Sequence, residues 1–170
     1  MGYVHDTAMA QYIPPTLFHF VSATAVFTHA AGAVTDTIAI NRAVATEATT
    51  INVPIVIPSN SVASKGAKLT SIEIDYEIFT AAATAMTALI YKVTRGADLA
   101  VAVVSSAIPF TQTPVTTVAD DVDQHKLILT ITTPTWLDND EYYLVELTLD
   151  AAATTTAKFY GAVANFTLRV

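Results

Sequence analysis

Leu69-Thr70-Ser71-Ile72-Glu73-Ile74-Asp75-Tyr76-Glu77-Ile78 decides the fold class. Ile72, Ile74, Tyr76 and Ile78 fall on one side of an extended chain. Ser71, Glu73, Asp75 and Glu77 fall on the other. Strict alternation of this kind reads as a β-strand with one face in a core and one in water. Residues 126–132 repeat it, with Leu127, Leu129 and Ile131 inward, and so do residues 142–149, with Tyr143, Val145, Leu147 and Leu149. Residues 157–170 read as a long final strand in which Gly161 marks a bulge or a close backbone approach.

Outward from these strands the signals weaken but keep the same period. Further strands are expected at 17–21, 34–40, 50–57, 87–93 and 99–104. They are separated by turn residues such as Pro14-Pro15, Gly32, Pro58-Ser59-Asn60, Lys65-Gly66, Arg95-Gly96 and Asp138-Asn139-Asp140. Pro54 points to an edge strand, because proline lacks a ladder donor. The Ala-rich stretches 80–88 and 151–157 lie between strong strands and carry several Thr, so they read as loops or strand entries. Residues 59–67 have room for one helical turn, and residues 105–124 read as a crossover loop. The expected fold is therefore all-β: an antiparallel β-sandwich, jelly-roll-like, as a single domain over residues 17–170. Residues 1–16, with two prolines and scattered aromatics, read as an extended N-terminal arm that packs on its own domain or reaches a neighbour.

Composition bounds the function. Charged residues make up 14% of the chain and apolar ones 52%, against about 25% charged in an average soluble domain. Thr fills many of the polar positions. A surface so poor in charge is expected to be covered in part by copies of the same chain. The expected working state is therefore a homo-oligomer, a trimer being one symmetry, with Tyr3, Tyr12, Ile13, Pro14 and Pro15 as the assembly arm. The net charge of −7 argues against a nucleic-acid partner, which calls for clustered Lys and Arg. No apolar run reaches membrane-spanning length, and residues 1–15 show no basic and apolar leader. With no cysteine there is no disulfide, thiolate site or cysteine nucleophile.

Candidate chemistry is sparse. Asp120, Asp121, Asp123 and His125 are conceivable metal ligands but read more simply as an acidic loop. Asp138-Asn139-Asp140-Glu141 lacks the Gly and the distal Glu of a calcium loop. Glu73, Asp75 and Glu77 are two apart on one strand, so they do not flank a substrate as paired glycosidase carboxylates do. The four histidines are scattered, and His19 alternates opposite Phe18 and Phe20 as a surface or interface residue. No metal, cofactor or catalytic group is expected, and the chain reads as a non-enzyme. Trp136 with Tyr142 and Tyr143 forms a candidate ligand platform for sugar stacking; the competing reading is a tryptophan that plugs the end of the sandwich.

Several stretches carry a resemblance. They are Asp121-Val122-Asp123-Gln124-His125-Lys126, the run from Thr133-Pro134-Thr135-Trp136 through Tyr142-Tyr143, Leu149-Asp150-Ala151-Ala152-Ala153 and Phe159-Tyr160-Gly161-Ala162. Earlier in the chain, Ile57-Pro58-Ser59-Asn60-Ser61 and Lys65-Gly66-Ala67-Lys68-Leu69 belong to the same pattern. Over residues 50–170 they resemble small β-rich virion-associated proteins of tailed phages and environmental viral sequences. The resemblance implies a non-enzymatic structural protein such as a capsid decoration, head-fibre or tail-associated component. Its location would be the virion, and other particle proteins its partners. It carries over no site residue. The alternatives are a subunit of an extracellular filament or cell-surface layer, and a carbohydrate-binding β-sandwich module.

Overall fold

The computed structural model describes residues 5–31, 38–59, 66–95, 104–114 and 122–169. Among these, twelve strands and one short 3-10 turn at Pro15–Leu17 account for the regular structure. In chain order the strands are β1 (Asp6–Ile13), β2 (His19–Val21), β3 (Phe27–Ala31), β4 (Ile38–Arg42), β5 (Glu47–Ile55) and β6 (Ala67–Phe79). They continue with β7 (Ala85–Thr94), β8 (Val104–Ala107), β9 (Phe110–Thr113), β10 (Gln124–Ile131), β11 (Glu141–Ala151) and β12 (Thr156–Arg169).

They form two antiparallel sheets. The larger runs β3-β4-β12-β6-β10-β9, with β1 also paired to β12; the smaller runs β2-β5-β11-β7-β8. Consecutive strands from β5 to β7, and from β10 to β12, alternate between the sheets, so connections cross the sandwich. This places inward residues of both sheets in one core. Ile72, Ile74, Tyr76, Ile78, Leu127, Leu129, Ile131, Tyr143, Val145 and Leu147 are all buried there, as their alternation predicts. At one edge Phe20 of the smaller sheet stacks on Phe27, with ring centroids 4.3 Å apart, and packs near Phe159 at 5.9 Å, closing the two layers.

Several expectations change. The stretch read as a separate arm is extended, but Asp6–Ile13 pairs with Arg169 through Ala162 as a strand of the larger sheet. That is the first of the two placements expected for the arm, packed on its own domain: β12 offers this segment a free backbone edge that its own sequence does not reveal. Tyr3 lies outside the described residues, as do Asp120, Asp121, most of 99–104 and most of 59–67. The expected crossover loop at 105–124 holds two short strands: β8 pairs with β7 and β9 with β10, so the chain changes sheets between Ala107 and Phe110. Strand β3 forms from Phe27–Ala31, a stretch whose sequence carries no clear alternation. Pro54 sits on a strand with neighbours on both sides, yet β2 reaches only Thr50 to Asn52, so at Pro54 the strand is locally an edge.

Arg42 holds one corner together. It is fully buried. Its guanidinium donates to Thr49 Oγ1 at 3.0 Å and to the carbonyls of Ala45 at 2.9 Å, Glu47 at 3.3 Å and Thr155 at 3.4 Å. Burial pulls its pKa below the ordinary guanidinium value, and the Glu47 charge opposes that pull. Glu47 turns its carboxylate the other way. It accepts from the backbone N–H groups of Ala23, Thr24 and Ala25 and from the Ser22 hydroxyl, tying the loop between β2 and β3 to β5.

Candidate functional site

The outer face of the larger sheet carries a cleft of about 490 Å³ lined by Tyr12, Pro14, Pro15, Thr16, Ile38, Asp75 and Tyr160. It forms because β12 has two partners along one edge. Strand β4 pairs with Ala157 to Phe159 and β1 with Ala162 to Arg169, leaving a gap between the end of β1 and the start of β4. The register of β12 against β6 shifts between Phe159 and Gly161, as Gly161 suggested from the sequence.

Tyr12 is the fixed aromatic wall of this cleft. Its hydroxyl donates to the Tyr160 carbonyl at 2.8 Å. Its ring lies against Gly161: a Cβ there would stand 2.7 Å from Tyr12 Oη and 2.8 Å from Cε2. Gly161 also has φ +133°, a conformation that disfavours side chains. The ring is thus held on one side by backbone while 58% of the residue stays exposed. Burial pushes the Tyr12 phenol pKa up, and the charge of Asp75 adds to this.

Asp75 supplies the carboxylate. Its nearest cation is Lys126, 3.8 Å away, and its side chain is about two-fifths exposed. Its neighbours on the stripe are engaged elsewhere. Glu73 accepts from Lys126 at 3.0 Å and from Asn165 at 3.1 Å, and these bonds hold its pKa below the usual carboxylate range. Glu77 accepts a hydrogen bond from the Tyr160 hydroxyl and lies 3.9 Å from Lys158. The acidic stripe is a solvent face, as read from the sequence, and one of its members also faces a cleft.

The expected platform of Trp136, Tyr142 and Tyr143 does not assemble. Tyr143 is fully buried and donates to the Thr135 carbonyl at 2.9 Å. Tyr142, its neighbour on a strand, points to the opposite face. Trp136 is half-buried beside β6, with Lys68 Nζ 4.8 Å and Arg169 Cζ 4.2 Å from its ring centroid. It anchors cations at the end of the larger sheet. Of the residues assigned to the arm, Ile13 and Pro15 are buried, while Tyr12, Pro14 and Pro15 line the cleft. Among the described residues no three metal-ligating side chains gather; His125 instead packs on Tyr76, ring centroids 5.3 Å apart.

Sequence reading missed the cleft because its lining comes from β1, β4, β6, β12 and the proline turn. The one local clue was Gly161, a glycine inside a strand pattern.

No family model and no curated protein matches the chain. Among solved structures, the bacteriophage CBA120 tailspike protein 4 enzymatically active domain is similar at 8% identity and a TM-score of 0.43, over 94% of this chain and 19% of that one. A mutant of a family 29 carbohydrate-binding module aligns at 12% identity and a TM-score of 0.40, over 94% of this chain and 93% of that one. The family 11 carbohydrate-binding module from Clostridium thermocellum, in complex with a mixed-linked tetrasaccharide, aligns at 11% identity and 0.38, over 94% of each chain. This chain spans only 19% of the tailspike domain and 26% of a Clostridium thermocellum xylanase that it also matches. At these identities and scores the likenesses carry no argument about a ligand.

Proposed function

We propose that this chain is a non-catalytic carbohydrate-binding β-sandwich whose ligand is a neutral glycan end or short glycan segment seated against Tyr12. The observation that supports this is the Tyr12–Asp75 cleft. An aromatic plate packs against the apolar C–H face of a sugar ring. An ionised carboxylate beside it accepts from adjacent hydroxyls, since it has acceptor capacity and no proton to donate. Pro14, Pro15 and Ile38 add apolar wall, and the volume falls within the range of about 300–1,000 Å³ typical of small-molecule sites. A net charge of −7 and a carboxylate in the lining disfavour acidic sugars. Among the described residues that line the cleft Asp75 is the one acid, whereas a glycosidase uses two carboxyl groups, which supports binding rather than turnover. The test is calorimetry or a glycan array with the full chain and with Tyr12→Ala. Loss of an anchoring aromatic of this kind costs about 2 kcal/mol or more, so affinity should fall at least tenfold. A glycan bound equally well by both proteins would refute the cleft as the site.

A second reading, a structural subunit of a virion or of an extracellular filament, is favoured by a different observation. Ile38, Val56, Val26 and Val44 expose large apolar side chains on a surface with few charges. The two readings are compatible, since particle proteins that meet cell surfaces have use for glycan binding. Electron microscopy of the native source, probed with antibody to this chain, tests it.

A further inference from the structure

We propose that β1 is an exchangeable strand, and that two copies of this chain swap residues 6–13 so that each cleft combines Tyr12 of one copy with Asp75, Tyr160 and Ile38 of the other. Four observations carry this. First, seven of the eight residues of β1 are exposed and only Ile13 is buried, so little apolar burial ties the strand to its own body. Second, what does hold it is transferable: the eight-residue antiparallel register with β12, the Asp6–Arg169 ion pair at 2.7 Å, and the Tyr12–Tyr160 hydrogen bond. A second copy offers the same partners in the same register. Third, the link to the body is Pro14-Pro15, with Pro14 in extended geometry at φ −67° and ψ 150°. A proline-stiffened link loses little freedom when it straightens away from its own domain. Fourth, Tyr12 and Ile38 line the cleft at this hinge end and Leu17 ends the proline turn that follows it, each of the three being more than half exposed. In an exchanged pair the two links must cross there, so these apolar side chains face each other and leave water. Swapping an identical element is a low-cost route to a dimer, because few contacts need to be invented.

The exchange stands whether or not the cleft takes a glycan. The chain has no cysteine, which permits a clean test. Ala8 and Thr167 are directly paired across β1 and β12. The double variant Ala8→Cys, Thr167→Cys is prepared with and without nitrogen-15 label. Equal amounts are refolded together, oxidised, and digested for mass spectrometry of the disulfide-linked peptides. Exchange predicts that about half of the 8–167 linkages join a labelled to an unlabelled chain. Linkages confined to like-labelled chains overturn the proposal. The unmodified full chain supplies an independent check by light scattering. A dimer dissociating on substitution of Met9→Pro, which removes a ladder donor from β1 at its pair with Phe166, supports exchange. A monomer at all concentrations up to about a millimolar overturns it. Glycan affinity is measured on the same samples, so loss of one reading leaves the other standing.

Discussion

Arg42 and Gly161 show how single residues hold this architecture. The Arg42 guanidinium donates to the carbonyls of Ala43, Ala45 and Glu47 on one side and to that of Thr155 on the other. Arg42→Met keeps the apolar stem and removes the donors, leaving carbonyls unpaired in a dry corner. The expected loss is on the order of 3 kcal/mol in urea unfolding, since each unsatisfied buried group costs about 1–3 kcal/mol. Leu129→Ala removes a fully buried side chain and should cost about 2–5 kcal/mol. Gly161→Ala forces a Cβ onto the Tyr12 ring and the Ile13 carbonyl oxygen. Together with the backbone strain, it should destabilise by about 1–3 kcal/mol and, where the fold survives, weaken glycan binding as Tyr12→Ala does. The Leu129 burial was legible in the alternation. The Arg42 corner was not, because it closes only when Thr155, 113 positions along the chain, folds over the guanidinium.

At the scale of elements, β1 is the least buried strand with a long pairing register. The Arg169 hydrogen bonds to Asp6 hold the Asp6 carboxyl below the usual range. A carboxyl whose folded pKa is lowered contributes stability above its unfolded pKa of about 3.9 and loses it as pH falls through the folded value. The stability difference between the unmodified chain and Asp6→Asn should therefore be constant above about pH 5 and close as pH falls toward the lowered folded value. Urea midpoints at a series of pH values check it, and raised salt should shrink the difference because the pair is exposed. The acidic alternation of β6 was plain in sequence; that β1 docks on β12 was not, since an edge-added strand needs no inward-facing apolar set.

For the whole molecule, the sparse charge and net value of −7 make the surface on average weakly unfavourable to anions. Glycans matched in size but carrying carboxylate or sulfate should bind more weakly than neutral ones at low salt. That gap should narrow as ionic strength rises, because screening reduces the repulsion. Calorimetry at two salt concentrations measures it; a preference for acidic glycans would remove Asp75 from the site.

Periodicity of two, written into residues 69–78, 126–132 and 142–149, was enough to establish an all-β sandwich and to name its core, because alternation is a local property that burial converts directly into face. The cleft and the place of the first strand were settled only by tertiary structure. Tyr12 and Asp75 are 63 positions apart in sequence, and they meet because β12 pairs with β1, β4 and β6 around a bulge at Gly161. The adjacent Tyr142 and Tyr143 part for the opposite reason: neighbours on a strand point to opposite faces, so closeness along the chain separates them in space.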